Sequence, residues 1–67
     1  MELIKNLLRE YKELIKTCEL ARNLDEDVFH CIERAAIEIA SALTILRTRG
    51  KIDPKYEKEI DEILSKI

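Results

Sequence analysis

Between Ala35 and Leu46 the chain reads AAIEIASALTIL, twelve residues whose only charge is Glu38, inside a sequence in which 39% of residues are charged. A helix on the rim of a small bundle normally carries charge along its outer face. A segment this poor in charge therefore predicts neighbours on most of its sides. The rest of the chain has to be arranged to supply them.

The segments around it have helical period. From Leu3 to Ala21 the apolar residues recur at Leu3, Ile4, Leu7, Leu8, Tyr11, Leu14, Ile15, Cys18 and Ala21, the i, i+3, i+4, i+7 pattern of an amphipathic helix. Arg9, Lys12, Glu13 and Lys16 fall on the opposite face, where Leu20 is the one misfit. Asn23 is placed to take a left-handed position after this helix, with Leu24 folding back on its last turn and Asp25 capping the next. Gly50, the single glycine, provides the second stop. Asp53 followed by Pro54 then restarts the chain as a helix, because proline at the first helical position loses no hydrogen bond. Tyr56, Ile60, Ile63, Leu64 and Ile67 form the apolar stripe of the third segment. Period-two alternation is nowhere sustained, so no strand is expected.

These signals predict an all-α fold, an antiparallel up-down-up three-helix bundle with helices over about 3–22, 26–48 and 54–66, as a single helical domain spanning 1–67. A chain of 67 residues buries only about 60% of the surface its unfolded form exposes. Domains of this size commonly add a disulfide, a metal or an oligomeric interface. Ten Ile and nine Leu against three aromatic residues make the expected core aliphatic.

On the middle helix Val28, Phe29, Ile32, Ala35, Ala36, Ile39, Ala40, Ala42, Leu43 and Leu46 span an arc of about 160°, already a wide core face. The remaining arc begins polar at Glu26, His30, Glu33 and Arg34, then continues with Ile37, Ser41, Thr44 and Ile45, which carry no charge. Small residues allow close helix approach, and apolar ones reward it. Ile37, Ser41, Thr44 and Ile45 are accordingly the expected interface, with self-association as a homodimer, forming a larger helical bundle, or a partner helix as the occupant.

Cys18 and Cys31 lie at similar distances from Leu24, which puts them level in an antiparallel hairpin. A bridge between them would close a 14-residue loop. Helix axes usually pack about 8–10 Å apart, whereas a disulfide needs Cα atoms within about 7 Å. Cys18–Cys31 is therefore a possible disulfide, with two reduced thiols as its competitor.

No catalytic residue is expected. A lone histidine without a nucleophile motif leaves nothing to activate. His30 and Cys31 are adjacent and point about 100° apart on a helix, without a further ligand at metal-binding spacing. No metal, cofactor or small-molecule substrate is predicted. The net charge is −2, which leaves no field to steer the chain to nucleic acid or anionic lipid. The charges are nonetheless segregated: residues 23–46 sum to −4 and residues 47–51 to +3. The cluster RTRGK at 47–51 answers the helix dipole there, and its lack of interleaved aromatics argues against nucleic-acid binding. No apolar run reaches the ~20 residues of a membrane span, and no signal peptide is recognisable, so a cytoplasmic chain without membrane association is expected.

The segment DVFHCIERAAIEIASAL, residues 27–43, resembles the central helix of HEPN-type helical proteins in its ERA step followed by alanine and isoleucine. The Arg-x4-6-His signature that carries ribonuclease activity in that family is absent after Arg47, so the resemblance transfers no residue and no activity. The leading expectation is a non-enzymatic helical bundle acting by association through the outer face of its second helix. Two alternatives stand beside it. One is a monomeric scaffold without ligand, either a de novo designed miniprotein or a thermostable one from a thermophile, which the abundance of Ile, Glu and Lys would suit. The other is a small regulator associated with nucleic acid through residues 47–51.

Overall fold

The computed structural model describes residues 2–66. Among them are three helices and no strand: α1, Glu2–Arg22; α2, Glu26–Thr48; and α3, Glu57–Leu64, entered through a 3-10 turn at Pro54–Tyr56. The expected all-α bundle is the observed one.

The turn between α1 and α2 differs from expectation. No residue other than glycine has a positive φ among those described, so Asn23 is not left-handed. Instead the amides of Leu24 and Asp25 both donate to the carbonyl of Ala21, a right-handed tightening that satisfies the helix end without αL geometry. That turn aims Leu24 outward, and the side chain stays 84% exposed. The cap that follows is as expected. The Asp25 carboxylate accepts from the amides of Asp27 and Val28 at 2.9 and 3.1 Å, with extended backbone at Asp25 itself.

At the other end of α2, Gly50 has φ +67°. The Lys51 amide donates to the Leu46 carbonyl and the Gly50 amide to that of Arg47, the paired closure of a Schellman motif. Asp53 then accepts from the Lys55 amide at 3.0 Å. The third helix starts at Pro54 as expected, but its first turn is 3-10 and its regular part ends at Leu64, with a turn at Ser65–Lys66. It is shorter than the span of 54–66 read from the stripe. Ile67 lies outside the described residues.

Lengths decide the architecture. At about 1.5 Å per residue, α2 runs some 34 Å and α3 only about 12 Å, so α3 can cover only part of the α1–α2 hairpin. Its buried residues Ile60 and Ile63 meet Ile4, Leu8 and Tyr11 of α1 and Ala36, Ala40 and Leu43 of α2 in one cluster. Each helix contributes one completely buried aliphatic: Ile4, Leu43 and Ile60. Ala36 and Ala40 keep the floor of this core shallow enough for α3 to settle between the other two. Exposed ion pairs tie α3 at its flanks, Lys12 with Glu59 and Arg47 with Asp61. Each pair contributes roughly 0.2–1 kcal/mol, so the apolar contacts dominate.

Candidate interaction surfaces

The four residues singled out on α2 share one exposed face. Ile37 is 43% and Ile45 50% exposed, with Ser41 and Thr44 between them also exposed. The Thr44 hydroxyl donates to the Ala40 carbonyl at 3.1 Å, so its polar group is satisfied inside the helix. The AAIEIASALTIL segment thus has neighbours on two sides only, α1 and α3, and not on most sides. Its outer face is open because three helices of unequal length do not wrap the middle one.

Three residues assigned to the core by periodicity lie elsewhere: Leu3, in the first turn of α1, is 49% exposed, and two others are more informative. Val28 is half exposed, in the first turn of α2 beyond the reach of α3. Ile15 sits in the middle of the stripe formed by Ile4, Leu8, Tyr11 and Cys18, all of which are buried, yet it is 40% exposed. Its angular position is right for the core. What is missing is a third helix at its level. Ile15, Ile37, Tyr11 and Ala36 line an open apolar notch of about 240 Å³, with Glu33 and Lys66 at its rim. The signal that could have located it is the length mismatch between the third helical segment and the other two.

A second groove runs between α1 and α3. On α1 it is lined by Lys5, Arg9, Lys12 and Lys16, and on the α3 side by Lys55, Lys58 and Lys66, against the carboxylates of Glu13, Glu59 and Glu62. The groove therefore carries a net charge of about +4 within a chain whose total is −2. Glu19, Glu26 and Glu33 lie toward the hairpin tip, with Arg22 paired to Glu19 and stacked over Phe29. His30 stands 3.6 Å from the carboxylates of Glu26 and Glu33.

The remaining candidates are dispersed. Both cysteines are free: Cys18 is buried with its thiol directed at the Phe29 carbonyl, and Cys31 is exposed. In the basic cluster Arg47 is engaged by Asp61, while Arg49 and Lys51 are exposed at the helix end. Among the described residues no three His, Cys, Asp or Glu side chains converge as a metal site, and no helix is long and apolar enough to cross a membrane. Compared with known protein families, curated proteins and solved structures, the chain matches none.

Proposed function

We propose that the chain is a non-enzymatic helical module that acts by association, using the outer face of α2 as its docking surface. The observation that carries this reading is the strip Ile37, Ser41, Thr44 and Ile45, uncharged and exposed together on one face of α2. Burying the exposed halves of Ile37 and Ile45 is worth roughly 1 kcal/mol each. The total surface supports it too. The molecule exposes 4982 Å², whereas a compact monomer of 7.9 kDa exposes roughly 4400 Å².

Absolute molecular mass by light scattering tests the proposal. Wild-type protein is expected above 7.9 kDa at high concentration, or in complex with its partner. The double substitution Ile37→Lys and Ile45→Lys is expected to return it to the monomer with its helix content unchanged. An unaltered mass in that variant refutes the α2 face.

A further inference from the structure

We infer that the basic groove between α1 and α3 is a second docking surface, and that its occupant is an acidic amphipathic helix presented by another protein. This surface shares no residue with the strip on α2 and works without it.

Charge is sorted within each helix before the fold brings the helices together. At about 100° per residue, Lys5, Arg9, Lys12 and Lys16 fall within about 60° of one another on α1, and they are its only cations before Arg22. All three lysines of the third segment, Lys55, Lys58 and Lys66, line the facing wall. The groove thereby collects seven of the chain's twelve basic residues but three of its fourteen acidic ones. Glu57 and Asp61 of α3 lie outside it, and Asp61 is taken by Arg47. All seven cations are exposed. Lys12 is held by Glu59 and Lys16 by Glu13, whereas Lys5, Arg9, Lys55 and Lys58 are in no ion pair among the described residues. Like charges gathered this way repel one another, and an anionic partner relieves the repulsion.

The floor and the size of the groove select the class of anion. α3 packs more closely on α2 than on α1, which leaves the groove open along about three turns of α1, from Lys5 to Lys16, or roughly 16 Å. Leu8, Tyr11 and Ile63 form its buried floor, and Ile15 and Tyr56 reach solvent beside them. Its volume is about 1270 Å³, above the ~300–1,000 Å³ of small-molecule pockets. An apolar floor between basic walls matches a helix whose apolar stripe is flanked by carboxylates, laid along α1. A phosphodiester strand fits less well on three counts. Its evenly spaced charges meet Glu13, Glu59 and Glu62, which a helix avoids by where its acids stand. Six of the seven cations are lysines, without the fork that takes phosphate in a bidentate way. Neither tyrosine has a free ring face for base stacking: Tyr11 is buried, and the Lys55 ammonium stands over the Tyr56 ring, 5.2 Å from its centroid.

Titration of the isotope-labelled whole chain, followed by amide NMR, tests this. The probe is a synthetic helical peptide of about four turns with a leucine stripe flanked by glutamates; the same peptide with glutamine for every glutamate, and an oligothymidylate, are its comparisons. The acidic peptide is expected to shift the amides of the groove walls on α1 and α3, and its glutamine counterpart to bind roughly tenfold more weakly or worse. Lys5→Glu with Lys58→Glu takes the groove from about +4 to about 0 and is expected to weaken the acidic peptide by roughly tenfold or more, with helix content unchanged. Arg34→Glu with Arg49→Glu makes the same change in the charge of the molecule outside the groove, and is expected to leave affinity within about twofold. Should the first pair unfold, Lys5→Gln with Lys58→Gln serves instead, with the same direction expected. The variant Ile37→Lys, Ile45→Lys is expected to bind the peptide as wild type does, so failure of the α2 face leaves this groove standing. Equal losses in the two charge-reversed pairs overturn the groove as the site. So does a spectrum that does not move at millimolar acidic peptide, and tighter binding of the oligothymidylate overturns the acidic helix as occupant in favour of nucleic acid.

Discussion

The two ends of the α1–α2 hairpin have nearly the same helical pattern and different fates. Where α3 lies across it, Ile4, Leu8 and Tyr11 are buried; one turn on from Tyr11, Ile15 is 40% exposed, although Leu14 still packs on the core and Cys18 and Ala21 are buried farther along. An amphipathic pattern fixes which way a side chain points. Burial depends on whether anything arrives from that direction. Between Tyr11 and Ile15 the answer changes within about one turn of α1, where the reach of α3 ends.

This comparison is sharpest in the core. Leu43→Ala at the three-helix end removes a fully buried side chain and is expected to cost about 2–5 kcal/mol in urea unfolding. The matching truncation at the bare end, Ile15→Ala, is expected to cost less than half as much when measured on the monomer. Equal costs would break the distinction between the two ends. Gly50→Ala comes next. Its backbone is left-handed although nothing lies within 4 Å of an added Cβ, so the expected loss of about 1–2 kcal/mol is conformational and not steric. It acts on the linkage that positions α3. At the hairpin tip, Asp25→Ala removes both accepted amide bonds and is expected to cost about 1 kcal/mol. Thiol labelling gives a gentler comparison at the two-helix end: Cys31 is expected to react at once and Cys18 only through local opening. If both react equally fast, the packing of α1 on α2 near the tip is looser than described. Smallest of all, Leu20→Lys on the exposed face of α1 is expected to change stability by less than about 0.5 kcal/mol.

Much of this architecture was legible in the residues. The caps at Asp25 and Asp53 and the stop at Gly50 are local chemistry, satisfied within a few residues, and they divided the chain correctly into three helices. Asn23 misled because a helix end has more than one way to satisfy its carbonyls, and a right-handed turn onto Ala21 served here. The exposed positions Ile37, Ser41, Thr44 and Ile45 were also legible as a face of α2, since their angular spacing is intrinsic to the helix. The notch was not. Ile15 and Val28 have core-like positions on their own helices, and their exposure depends on the reach of a third segment whose first turn is 3-10 and whose regular part spans only Glu57–Leu64. The basic groove was hidden for a similar reason. Arg9, Lys12 and Lys16 read as the polar face of the first helix until α3 places Lys55, Lys58 and Lys66 beside them.

The placement of the aromatic side chains makes the unevenness of the molecule visible to light. The chain has no tryptophan, and both of its tyrosines belong to the three-helix end: Tyr11 is buried in the core and Tyr56 packs against it. Tyrosine emission and the tyrosine band of the near-ultraviolet dichroism therefore report on the region under α3, whereas the hairpin tip carries only the rings of Phe29 and His30. Far-ultraviolet dichroism, dominated by α1 and α2, sees both. Superimposed melting curves from the two signals would mean that the covered and uncovered halves unfold as one unit. A tyrosine transition at lower temperature would mean that α3 detaches first and leaves the hairpin standing.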